Sequence, residues 1–218
     1  VEGPSRALEA VRAAAVDERI RGAISGLVSS QQEDGGWSWA SHQGDSSRHV
    51  TARTVWALML AARAGYLVPE ETRDKAIHFL GSQLTQTANT DYETKAILLH
   101  ALAVAGHDDF PLANRLYRER PALSTAALLH LSMAFAQMQR GPLAEDILAL
   151  VAQRNLDETQ PRRQSPGSSL PWNHSPVELR ALYAIALQQI RPADAKVQTL
   201  IDWLLAHRVG HRWSPDKA

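Results

Sequence analysis

Three stretches of this chain are apolar nearly all the way round a helix, and they constrain the fold more than any other feature. They are Val55-Trp-Ala-Leu-Met-Leu-Ala-Ala62, Ala96-Ile-Leu-Leu-His-Ala-Leu-Ala-Val-Ala105 and Ala181-Leu-Tyr-Ala-Ile-Ala-Leu187. A helix without a polar face must be covered on both sides. The helices between them differ. Residues 70–84 put Ile77, Leu80 and Leu84 on one stripe, 141–154 place Leu143, Ile147, Leu150 and Val151 together, and 194–208 do the same with Val197, Leu200, Ile201 and Leu204. These are amphipathic surface helices. Strict alternation of the two kinds predicts two concentric layers, with the apolar helices inside and the amphipathic ones outside.

The punctuation supports about ten helices, at 5–15, 17–31, 47–65, 70–84, 90–106, 109–119, 122–139, 141–154, 175–191 and 194–208. Gly65 and Gly106 follow apolar runs, as C-terminal caps do. Pro69, Pro111, Pro121, Pro142, Pro176 and Pro192 sit at or near helix starts, where a missing N–H costs nothing. Ser47, Asn89, Ser124 and Ser175 are expected N-caps. Ala and Leu dominate the composition, which favours helix over sheet. The composition does not shift along the chain, so residues 1–218 are expected to form one domain.

Internal repetition points the same way. Glu93-Thr-Lys-Ala-Ile-Leu-Leu-His-Ala-Leu102 aligns with Glu178-Leu-Arg-Ala-Leu-Tyr-Ala-Ile-Ala-Leu187, and Ala96-Ile-Leu-Leu-His100 with Ala126-Ala-Leu-Leu-His130. Ile24-Ser-Gly-Leu-Val-Ser-Ser-Gln31, followed by Trp37, aligns with Leu200-Ile-Asp-Trp-Leu-Leu-Ala-His207, followed by Trp213. The spacing is irregular, so a uniform solenoid is not expected. One insertion, Asn155 to Asn173, is rich in Pro, Ser and Arg and reads as a long irregular loop.

The helix ending at Gln31 runs into Gln32-Glu-Asp-Gly-Gly-Trp-Ser-Trp39. This reads as a tight turn. Gly35 and Gly36 allow positive φ, and Asp34 can bond the turn backbone. Gln31 is expected to reach the start of the next inner helix. Trp37 is expected to fold back as an apolar plug whose N–H needs a partner. Trp213 marks an imperfect echo of this turn.

This pattern resembles the Gln–Trp repeat of α/α-toroid proteins, which include terpene cyclases, protein prenyltransferase β subunits and the thioester domains of complement components and α2-macroglobulins. Within that set it is most similar to bacterial α2-macroglobulin-like proteins. Gln31-Gln-Glu-Asp-Gly-Gly-Trp-Ser-Trp39, Val50-Thr-Ala-Arg-Thr-Val-Trp-Ala-Leu58 with Ala64-Gly-Tyr-Leu-Val68, and Trp203-Leu-Leu-Ala-His-Arg208 with Arg212-Trp-Ser-Pro-Asp-Lys-Ala218 carry the resemblance, over about residues 17–218. It implies an all-α, α/α toroid of helical hairpins, incomplete or open, cut from a longer multidomain protein. It also implies a non-enzymatic scaffold in a periplasmic or cell-surface protease trap, with the parent's other domains and a target protease as partners and no cofactor. The family's chemistry needs a Cys-x-Glu-Gln thioester, and this sequence contains no Cys. Val1-Glu-Gly-Pro-Ser-Arg6 faintly resembles the residues around that motif, but Gly3 stands where a Gln would be.

Lys plus Arg equals Asp plus Glu at 23 each, which gives no footprint for nucleic acid or acidic lipid. No apolar run is long and uninterrupted enough to span a bilayer. A prenyltransferase zinc site needs Cys. A cyclase needs an Asp-rich acid motif, and the one Asp pair, Asp108-Asp109, reads as a helix cap. In a toroid the inner helix starts converge, which would group His49, Asp91, Glu93, His174 and Glu178 with Arg48, Tyr92 and Asn173. Such carboxylates and imidazoles suit a metal or acid–base site, and Glu93 facing Glu178 would suit a glycosidase pair. The competing reading is helix capping, since acidic groups near an N-terminus favour the helix dipole. His100 and His130 could share a cavity and a metal, or pack as core histidines. A toroid-class enzyme, terpene cyclase-like or glycan-active, is therefore the alternative function, and a plain interaction module the third.

Overall fold

The computed structural model describes residues 4–39, 44–157, 175–208 and 210. Among these residues the regular structure is entirely helical. In chain order the described α-helices are α1 (Pro4–Ser29), α2 (Arg48–Arg63), α3 (Glu70–Gln86), α4 (Tyr92–Val104), α5 (Phe110–Arg118), α6 (Thr125–Gln137), α7 (Gly141–Ala152), α8 (Pro176–Ile190) and α9 (Lys196–Ala206). A 3-10 turn, Arg120–Ala122, precedes α6. The helices expected at 5–15 and 17–31 are one uninterrupted helix, α1. No Gly or Pro lies between Pro4 and Gly22 to stop it, and Ala-rich sequence propagates helix readily. Most of the expected insertion falls at 158–173, outside the described residues.

The caps explain the boundaries. The side chains of Ser47, Ser124 and Ser175 accept from Val50, Ala127 and Glu178 amides at the starts of α2, α6 and α8. Asn89, expected to cap α4, is displaced by Asp91, whose carboxylate accepts from the Thr94 amide at 3.1 Å. Asn89 Oδ1 instead accepts from Lys95 Nζ at 3.1 Å. Asp109 caps α5 through the Leu112 amide.

The chain divides into two compact units, Val1–Ser82 and Gln83–Ala218. In the second unit α6 packs between α4 and α8. Helix α5 packs on α4 and α6, α7 on α6 and α8, and α9 on α8. This is the expected alternation: a row of inner helices, each joined to amphipathic partners. Every residue from Thr94 to Val104 in α4 and from Ala126 to Phe135 in α6 is buried. Leu98, Leu99, Leu128, Leu129 and Leu131 are fully enclosed, and each such side chain contributes roughly 2 kcal/mol of burial energy.

The other two apolar stretches are covered less completely than expected. Helix α8 leaves Ile185 40 % exposed, and α2 leaves Leu60 48 % exposed. The outer helices bury a rotated stripe. Helix α3 buries Thr72, Ala76, Phe79 and Leu80, and α7 buries Ala144, Ile147, Leu148 and Val151. In α9 only Leu200 of the expected stripe is buried.

Three helices end in the same motif. After α2, Tyr66 N donates to Ala61 O and Gly65 N to Ala62 O, both at 3.0 Å. After α4, His107 N donates to Leu102 O and Gly106 N to Ala103 O. After α6, Arg140 N donates to Phe135 O and Gln139 N to Ala136 O. This paired closure needs one left-handed residue. Gly65 (φ 92°) and Gly106 (φ 84°) supply it without strain, whereas at α6 it falls on Gln139 (φ 57°). Gln139→Gly is therefore expected to stabilise the chain by about 0.5–1 kcal/mol, seen as a higher urea midpoint; an unchanged or lower midpoint would count against the strain assigned to Gln139.

Candidate functional site

The Asp-Gly-Gly-Trp turn lies in the first unit and joins three helices. Gln32 N donates to Gly36 O and Gly35 N to Gln32 O, both at 2.9 Å, which closes the turn. Asp34 Oδ1 accepts from the Gly36 amide at 2.9 Å. The Ser46 hydroxyl lies 2.7 Å from both Asp34 Oδ1 and Gln32 Oε1. Gln32 Nε2 donates to Gly44 O. The two glycines have different reasons. Gly35 is in the left-handed region (φ 89°) and presses on the Lys75 carbonyl of α3. Gly36 has an ordinary φ, but an added Cβ would lie 2.5 Å from Ser46 Cβ.

Gln31 reaches a different helix from the one expected. Its Nε2 donates at 2.9 Å to Gly35 O and at 2.9 Å to Thr72 O in the first turn of α3. The next inner helix, α2, is held instead by Trp37. The Trp37 amide donates to Thr51 Oγ1 at 2.9 Å, and the Ser47 amide donates to Trp37 O at 2.8 Å. The indole N–H donates back to Leu27 O of α1 at 2.8 Å, and the ring is 3 % exposed. Trp37 is thus the buried plug the sequence implied, with its polar atom satisfied. Trp213, the expected echo, lies outside the described residues.

The first unit also has a groove of about 320 Å³, lined chiefly by Ile24, Val28, Tyr66, Leu67 and Pro69. Its ionisable liners are Arg21 and Tyr66. Arg21 is committed to Asp17 at 2.8 Å, so the groove holds no acid–base pair.

The helix-start residues fall into separate settings. His49 is buried in the first turn of α2 in the first unit. His174 lies outside the described residues. In the second unit Asp91 is the cap of α4 described above. Glu93, two residues on, spends both carboxylate oxygens on Ser124 at the start of α6: Oε1 accepts from the Ser124 amide at 2.9 Å and Oε2 from its hydroxyl at 2.5 Å. Glu178 sits half-buried in the first turn of α8, its amide held by the Ser175 cap. The geometry of Glu93 is that of a clamp between helix starts. Lys95 is buried, and burial first, then the Arg115 charge, hold its amine below the ordinary value against the pull of Asp91. Among the described residues no group of three or more His, Cys, Asp or Glu is placed to hold a metal ion.

The sequence alignment of His100 with His130 understated what they do. Their Nδ1 atoms are 3.1 Å apart, with ring centroids at 5.2 Å and planes tilted by 51°. The residues are 1 % and 3 % exposed. On α8 and α9 the Arg180 guanidinium lies 3.9 Å from the Trp203 ring centroid, and His207 stacks on the same indole at 3.7 Å. Nothing in the spacing of Arg180 and Trp203 announced that stack.

Gly35 and Gly44 both have positive φ, but only Gly35 abuts backbone. Gly44→Ala is expected to cost about 1 kcal/mol for the backbone conformation alone, while Gly35→Ala costs more than twice that because α3 must move. Denaturant titration of the two variants measures the difference; equal losses would mean that the turn is not packed against Lys75.

No protein-family model and no curated protein sequence matches the chain. Solved structures do. A crystal structure of native Escherichia coli α2-macroglobulin, spanning domain MG7 to the C-terminus, matches 90 % of this chain and 32 % of its own length at 22 % identity and TM-score 0.67. The cryo-EM structure of the native E. coli protein matches 84 % of this chain and 12 % of its own length at 21 % identity and TM-score 0.64. A Salmonella α2-macroglobulin reacted with methylamine matches 86 % of this chain and 12 % of its own, at 21 % identity and TM-score 0.63. The chain thus spans between an eighth and a third of these proteins, and what it shares with that segment of bacterial α2-macroglobulins is the fold.

Proposed function

We propose that this chain is the α/α-toroid domain of a bacterial α2-macroglobulin-like protein and acts as a non-enzymatic scaffold in a protease trap. The observation that carries this reading is the fold shared with Escherichia coli and Salmonella α2-macroglobulins over 84–90 % of the chain. The Gln31–Trp37 joint adds to it, since the same residues that carried the sequence resemblance are those that fasten α1 to α2 and α3. The parent would work in the periplasm or at the cell surface. The domain would dock on the parent's other domains, and the trapped partner would be a protease. Structures in that family include forms activated by trypsin and by porcine elastase.

The covalent step of such a trap is acyl transfer. An amine attacks the thioester carbonyl, the Gln side chain keeps the acyl group, and the Cys leaves as a thiol. This sequence has no Cys, so that residue would have to come from elsewhere in the parent. The role of this domain is then to present and shield the bond rather than to make it.

The test uses the full-length parent. A parent with a Cys-x-Glu-Gln motif is expected to take up one methylamine and release one thiol per chain, and after bait cleavage to hold trypsin in a complex that survives denaturation. A parent with that motif intact that takes up no methylamine would overturn the covalent trap. A parent that leaves trypsin unretained after cleavage would overturn the trap reading altogether.

A further inference from the structure

We propose that His100 and His130 form an acid-sensitive latch between α4 and α6. At 3.1 Å only one hydrogen fits between the two Nδ1 atoms. In the neutral pair one ring must carry Nδ1–H and donate, and the other must present a bare Nδ1 and keep its proton on Nε2. The two rings are therefore complementary tautomers, and the bond is intact only while that complementarity lasts. One added proton places an imidazolium in a core where every neighbour on α4 from Ala96 to Val104, and on α6 from Ala126 to Phe135, is buried. A second sets two N–H groups and two positive charges face to face. Burial disfavours the charged form, and a like charge in contact disfavours it further.

Helix α4 carries Tyr92, Glu93 and Lys95, α5 carries Arg115, Tyr117 and Arg118, α7 carries Glu145 and Asp146, and α8 carries Glu178, Arg180 and Tyr183. Helix α6 has none besides His130. Glu93 is spent on Ser124, Asp146 on Tyr117 and Arg120, and Glu145 on Arg191. Glu93 stands seven residues before His100, about 10 Å along the helix axis.

The sign follows from proton counting. The unfolded chain takes a proton on each histidine near pH 6.5, and the folded pair refuses at least one. Stability is therefore full above that pH and is lost as pH falls through it. Between pH 7.5 and 5.5 the unfolding constant is expected to rise about fivefold if the pair shares one proton, and about 100-fold if it admits none. The latch stands whether or not the trap reading does.

Urea unfolding of this chain at pH 7.5 and 5.5, alongside the double variant His100→Leu/His130→Leu, measures that rise. The unaltered chain is expected to lose at least fivefold more than the variant across this range. Proton NMR of the unaltered chain gives a second readout that needs no variant. The His100 and His130 resonances are expected never to reach the protonated shift together before the chain unfolds. Equal pH slopes for the two chains, or two core histidines that both reach the protonated shift while the chain is still folded, would overturn the latch.

Discussion

The indole N–H of Trp37 donates to the last turns of α1, and its backbone amide donates to Thr51 in the first turn of α2. Six residues earlier along the turn, Gln31 donates to Gly35 and to Thr72 of α3. Between them these two residues fasten three helices through four hydrogen bonds, three of which end on backbone carbonyls. Carbonyls do not depend on side-chain identity, so the joint tolerates change elsewhere in the helices. What it does not tolerate is bulk at Gly35 or Gly36, because α3 and Ser46 sit where a side chain would go. An isolated turn of this length has no stability of its own. It holds because each buried donor has a partner and because the Trp37 ring adds the apolar area that sequesters them.

The second unit meets a different constraint. Helices α4 and α6 are buried along almost their whole length, and two of their polar pairs join one to the other. Glu93 satisfies Ser124 at the helix starts, and His100 satisfies His130 in mid-helix. These residues read in the sequence as candidates for acid–base or metal chemistry. In the fold they are the internal wiring of a row of helices. The Glu93 carboxylate also lies next to the α6 amide terminus, where a negative charge is favoured. Both pairs trade general adhesion for specific register, since each requires one residue opposite one other.

Much of this architecture was legible in the sequence, for local reasons. Gly65 and Gly106 ended helices because the closing motif needs a left-handed residue, and Ser47, Ser124 and Ser175 began them because their hydroxyls reach the free amides. The alternation of apolar and amphipathic runs gave the layering. The misreadings share a cause as well. A break was expected within α1 where no breaker exists. Asn89 was preferred to Asp91 because both can cap, and only packing decides. The partner of Gln31 lies 41 residues away, and no local pattern encodes that. The histidines were aligned correctly by repetition, but repetition does not say that equivalent positions on adjacent helices face each other. The exposure of Ile185 and Leu60 was invisible because composition reports what a helix can bury, not what its neighbours cover.

A polar turn locked by Trp37 holds three helices together. Native-state hydrogen exchange of the turn amides tests this most directly. The amides of Gly36, Trp37 and Ser47, bonded to Asp34, Thr51 and Trp37, are predicted to exchange as slowly as the core amides of α2 and α3, through opening of the whole unit. Exchange at the rate of an open surface loop, with α2 and α3 still protected, would contradict the claim that this turn holds the three helices together.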